Sequence, residues 1–112
     1  MSNPSSEPIV VLMTAANRQE ADRIAEMLVS TRLAACVQIL PEIQSIYRWQ
    51  GEVVHGMEVL LLAKTTKAQF DDLVSGVTAI HSYETPEIIA LRITAAAEPY
   101  LKWLLDSIAE GS

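Results

Sequence analysis

Two uninterrupted apolar runs constrain this 112-residue chain more than any other feature: Ile9, Val10, Val11, Leu12, Met13, and Val59, Leu60, Leu61, Leu62, Ala63. Each falls far short of the roughly 20 residues that span a bilayer, and neither alternates with polar residues as a half-exposed strand does. A short apolar run of this kind suits a strand covered on both faces. Both runs are therefore expected in the middle of a sheet. A chain of this length can bury such a sheet as one domain without disulfides or a structural metal.

After the first run the pattern turns helical. Asn17 and Glu20 have capping-box spacing, and Ala21, Ile24, Ala25 and Leu28 recur at i, i+3, i+4, i+7, so an amphipathic helix should end near Thr31. Residues 33–49 read as one long, bent edge strand, interrupted at Pro41, which has no N–H for a ladder and belongs at a bulge or an edge. Beyond the bend Ser45, Tyr47 and Trp49 share one face, and Gln44, Ile46 and Arg48 the other. Gln50 and Gly51 form a hairpin turn, and the return strand, residues 52–65, holds the second apolar run.

Thr66 and Gln69 have cap spacing ahead of a second helix with the stripe Phe70, Leu73, Val74, Val77. After the polar loop His81, Ser82, Tyr83, Glu84, Thr85, Pro86, residues 88–93 read as a strand. Glu98 with Pro99 opens a last helix whose stripe is Leu101, Leu104, Leu105, Ile108.

The order is strand, helix, strand, strand, helix, strand, helix. That is an α+β, ferredoxin-like split βαβ sandwich with a long bent hairpin between its second and third strands and an extra C-terminal helix. In it the first and third strands lie side by side at the centre, where the apolar runs place them, and right-handed crossovers put both helices on one face. Residues 1–8, built of Ser, Asn, Pro and one Glu, are expected to form a disordered tail ahead of a single domain at 9–112, without the basic start and apolar centre of a secretory signal.

Eight Lys plus Arg against 14 Asp plus Glu leave a net charge of −6, the wrong sign for nucleic acid or an anionic membrane, so cations are the partners left open. The sole cysteine, Cys36, cannot form an intramolecular bridge, which points to a reducing compartment and a cytoplasmic location. The chain has no GxSxG, no Gly-rich phosphate loop, no CxxC and no HExxH, and no enzymatic activity is expected.

The stretch Arg32, Leu33, Ala34, Ala35, Cys36, Val37, followed by Ser45, Ile46, Tyr47, Arg48, Trp49, Gln50, Gly51, resembles the CutA family of divalent-cation tolerance proteins. EVLLLAKT at 58–65, HSYETPEIIA at 81–90, and Tyr100, Leu101 and Trp103 stand in the family's order and spacing. The resemblance implies a ferredoxin-like protomer in a tight homotrimer built like the PII signalling proteins, with hairpins pairing across subunits. It also implies a role in tolerance of copper and other divalent cations, with no established reaction. A copper site described in the family uses a thiol on the first strand and two adjacent histidines before the last. Here those positions are Met13, Ile80 and His81, so one strong ligand remains, and Ser82 and Gln38 stand where Pro and Asn are common.

His81 is thus the candidate metal ligand, beside Tyr83, Glu84 and Glu87, and copper-like divalent cations are expected to bind weakly. Cys36, in an Ala, Ala, Cys, Val setting, reads first as a small buried hydrophobe. Lys64 ends an apolar strand and needs a counter-charge, for which Glu84 or Glu87 is the natural source. A ligand pocket lined by Cys36, Gln38, Lys64, His81, Tyr83, Glu84 and Trp103 is therefore expected in a cleft between subunits. Tyr47, Trp49 and Gly51, at a hairpin tip far from the core, are expected at the trimer interface. Two functions fit: a trimer that binds copper-like cations, or a PII-like signalling or scaffold trimer that binds a small ligand or partner protein in those clefts.

Overall fold

The computed structural model describes residues 6–109. Its elements run β1 (Pro8–Ala15), α1 (Arg18–Ser30), β2 (Cys36–Trp49), β3 (Glu52–Thr66), α2 (Phe70–Ile80), β4 (Ile88–Arg92) and α3 (Glu98–Ile108). One antiparallel sheet has the order β2-β3-β1-β4, so the strands carrying the two apolar runs are the central pair. This is the ferredoxin-like α+β fold.

Alternation along the strands sorts the sheet's two faces. Ile9, Val11, Met13 and Ala15 of β1 and Val59, Leu61 and Ala63 of β3 are buried against Ala21, Ile24 and Leu28 of α1 and Leu73 and Val77 of α2. Each fully buried aliphatic side chain here contributes roughly 1.5–3 kcal/mol, offset by the entropy of ordering the chain. The opposite face carries Val10, Leu12, Leu60 and Leu62, flanked by Ile89 and Leu91, which remain half exposed. Among the described residues that face receives a helix at its Lys64 end, where α3 packs against β3 and buries Leu104.

The hairpin is long because its two strands stay paired past the interruption at Pro41 and on to the tip, from Cys36 opposite Lys64 to Trp49 opposite Glu52. Gln50 (φ 49°) and Gly51 (φ 79°) both lie in the left-handed region, the type I′ geometry whose twist matches that of paired strands. The interruption at Pro41 is a bulge between Leu40 and Ile43. Before it, Cys36, Gln38 and Leu40 face away from α1 and α2; after it, Ile43, Ser45, Tyr47 and Trp49 do, opposite Glu58, Gly56, Val54 and Glu52.

Three local expectations change. The tail stops short of Pro8: Pro8 opens β1, its carbonyl accepts from Ile93 N–H (3.1 Å), and the Glu7 carbonyl accepts from Lys67 N–H (2.9 Å). Residues 1–5 of the expected tail lie outside the described residues. Thr66 makes no side-chain cap bond, because it pairs with Pro8 to finish β3, and a 3-10 turn over Lys67–Gln69 leads into α2. At α1 the capping box is offset by one residue: Asn17 Oδ1 accepts from Glu20 N–H (2.9 Å), but Glu20 Oε1 reaches back to Ala16 N–H (2.9 Å).

Candidate functional site

The loop after α2 is held by three consecutive residues, each bonded to a different element. His81 leaves the helix in extended conformation, and its side chain is fully buried. Its Nε2 lies 2.7 Å from the Thr14 carbonyl oxygen, and its Nδ1 lies 3.0 Å from Tyr83 N–H. A carbonyl can only accept and a backbone N–H can only donate, so Nε2 carries the proton and Nδ1 is bare. Both ring nitrogens are engaged within the chain.

Ser82 is held from α1. Its N–H donates to Glu20 Oε2 (2.7 Å) and its hydroxyl to Glu20 Oε1 (3.1 Å). Burial alone would raise the Glu20 pKa, but the bonds from Ala16 N–H and from the Ser82 hydroxyl and N–H outweigh it and hold the carboxyl below its ordinary range. Tyr83 is held from β3: its hydroxyl donates to Glu58 Oε2 (2.8 Å), and its ring lies 4.7 Å from that of His81. Burial, and then the Glu58 bond and charge, push the Tyr83 phenol above its ordinary pKa. Glu84 and Glu87 beyond it are exposed.

A second group gathers at the other end of β3. Lys64 pairs with Cys36 across the ladder, and its Nζ sits 5.5 Å from the centre of the Tyr100 ring on α3, a cation–π contact. Tyr100 leans on Trp103, ring centres 5.4 Å apart, and Gln38 lies on the same face as Cys36, whose thiol is free.

The seven candidate residues therefore form two sets within one chain. Lys64, Cys36, Gln38 and Trp103 lie at one end; His81, Tyr83 and Glu84 lie at the other, where Glu58 anchors the loop six positions along β3 from Lys64, about 20 Å away. The expected pairing of Lys64 with Glu84 or Glu87 is not made within the chain, because a strand's length separates them. Tyr47 and Trp49 lie beyond the domain on the hairpin, both largely exposed, and Gly51 lies in its turn.

Sequence reasoning missed Glu58 and Tyr100 as partners, and took Glu20 for a helix cap alone. The capping spacing drew attention to Glu20, but no local signal links it to residue 82. The positions matched to a copper site do not assemble one: Met13 is buried in the core between sheet and helices, Ile80 packs on that core, and His81 has both nitrogens bonded. No group of three or more His, Cys, Asp or Glu among the described residues is placed to hold a metal. One open hollow of about 470 Å³, lined by Val29, Arg32, Ala35, Asp106 and Ser107 among others, contains none of the candidate residues.

No helix among the described residues is long and apolar enough to cross a membrane. The divalent-cation tolerance protein CutA of Thermus thermophilus is 51% identical over 98 residues, covering 88% of this chain and 95% of the relative. The chloroplastic protein CutA of Arabidopsis thaliana is 42% identical over 106 residues, and the match takes in 95% of this chain but 58% of that longer relative. Its name also shows that a cytoplasmic location is not general among such proteins. The crystal structure of CutA1 from Oryza sativa superposes with a TM-score of 0.91 at 40% identity, over 97% of this chain and 100% of that one. Residues 9–107, nearly the whole described fold, match the family described as CutA1 divalent ion tolerance protein, and the chain belongs to that family.

Proposed function

We propose that the protein is a non-enzymatic, cytoplasmic homotrimer that binds copper-like divalent cations weakly in the clefts between its subunits, as part of a response to metal ions. The observation that carries this reading is the separation of the candidate residues. Two polar sets lie about 20 Å apart at the ends of a sheet face that is largely apolar and uncovered. A copy seated on that face covers it and brings the Lys64 end of one subunit toward the loop of the next. Exposed Glu84 and Glu87 then supply the oxygen ligands, and a cation reaches His81 only by breaking its bond to Thr14 or Tyr83, which supports weak uptake.

Native mass spectrometry with and without Cu(II) tests this directly. A trimer that takes up Cu(II) at tens of micromolar, and loses it on Glu84→Gln with Glu87→Gln, is the expected result; a monomer overturns it. The engagement of both His81 nitrogens favours a second reading, a PII-like trimer whose clefts bind a small ligand or partner protein. A trimer indifferent to every divalent cation selects that one.

A further inference from the structure

Glu20 makes more bonds than a helix start requires. Asn17 already satisfies the N–H of Glu20, and the bond to Ala16 N–H completes the cap. The carboxylate, 3% exposed, then makes two more bonds, to the N–H and hydroxyl of Ser82, 62 positions further along the chain. A charge so buried persists only where donors replace its water, and here three do. A Gln in its place offers one acceptor oxygen and turns an amide N–H₂ toward either the Ser82 N–H or the Ala16 N–H, so it cannot accept all three bonds.

The same segment is tied to the sheet on both sides of Ser82, through His81 to Thr14 and through Tyr83 to Glu58. The Glu20 bonds add a tie to the helical layer and fix the one residue the sheet leaves unheld. Past these ties, Glu84 and Glu87 project into solvent. We infer that Glu20 is the positioning residue of this loop: by fixing Ser82 from α1 it sets the direction in which Glu84 and Glu87 enter the cleft between subunits, an inference that rests on the cleft reading above.

The experiment compares Glu20→Gln and Ser82→Ala with Glu26→Gln, an exposed glutamate of the same helix. Amide hydrogen exchange is resolved by NMR on the full chain, beside native mass spectrometry with Cu(II). Glu20→Gln should speed exchange at Ser82 and Tyr83 about tenfold or more while Val11 and Leu61 keep their protection. Its half-saturating Cu(II) concentration should rise several-fold. Ser82→Ala should give a smaller change at the same amides, and Glu26→Gln none. Unchanged exchange at Ser82 and Tyr83 in Glu20→Gln reduces Glu20 to a helix cap, and a uniform rise that includes Val11 reduces it to general stability; either overturns the inference. If Glu20→Gln does not fold, Ser82→Ala decides by the same readout. If the wild-type protein takes up no Cu(II), the cleft reading fails, while the exchange contrast still decides whether Glu20 holds the loop.

Discussion

Tyr83 donates its hydroxyl proton to Glu58 across 2.8 Å, and that bond joins the loop before β4 to the foot of the long hairpin. Tyr83→Phe should lower stability by about 1 kcal/mol, because it leaves the Glu58 carboxylate short of a donor. The folded state raises the Tyr83 pKa, through burial first and Glu58 second, so folding favours the protonated phenol. That contribution is complete below the ordinary tyrosine value near 10 and is lost as pH climbs toward the raised one. Denaturant midpoints of wild type and Tyr83→Phe, measured from pH 8 to 11, should converge at the alkaline end. A gap that widens there contradicts the assignment.

His81 should be the Nε2–H tautomer. Long-range proton–nitrogen NMR is expected to show a pyrrole-like Nε2 and a pyridine-like Nδ1, and the reverse pattern contradicts the Thr14 and Tyr83 bonds. His81→Ala removes both and should destabilise the fold by about 2 kcal/mol. Calorimetry with Cu(II) at neutral pH should show no tight site in the wild-type protein; nanomolar binding abolished by His81→Ala would overturn the weak-uptake reading.

Trp49 is 58% exposed in the single chain, with Ile46 and Val53 equally bare on the same hairpin. If neighbouring subunits cover this arm, Trp49→Ala should weaken assembly by about 2 kcal/mol, the loss typical of a buried aromatic anchor. Sedimentation of wild type and variant across a dilution series reads this directly. A wild-type chain that sediments as a folded monomer at micromolar concentration rules the assembly out.

Gln50 holds a left-handed backbone (φ 49°) that a long side chain adopts reluctantly. Gln50→Asn keeps the turn and should stabilise the protein by about 0.5–1 kcal/mol, seen as a higher denaturant midpoint. A lower midpoint would mean that the Gln50 side chain makes a contact in the assembly.

The sheet was legible because its signals are local. Unbroken apolar runs marked β1 and β3 as central, Pro41 marked the bulge, and Gln50 and Gly51 marked the turn. The site was legible as residues but not as a geometry. Lys64 looked in need of a carboxylate, yet the structure gives it an aromatic ring, because α3 folds back to that end of the sheet and no period in the sequence tells where a terminal helix docks. Glu20 and Ser82 meet only because α1 and the loop before β4 converge on one end of β1, a fact of topology that neither segment states alone.

The bulge at Pro41 acts on β2 much as a single inserted nucleotide acts on a reading frame. Upstream of it the even-numbered residues face away from α1 and α2; downstream the odd-numbered ones do. Cys36 and Gln38 share a face with Tyr47 and Trp49 only because the bulge takes up the one extra residue between them. Deleting Pro41 restores the frame: the bulge closes, Tyr47 and Trp49 keep Val54 and Glu52 as partners and keep their face, and what is lost is the local bend and extra twist. The bulge is therefore the point at which β2 absorbs a one-residue difference in length without turning either of its segments over.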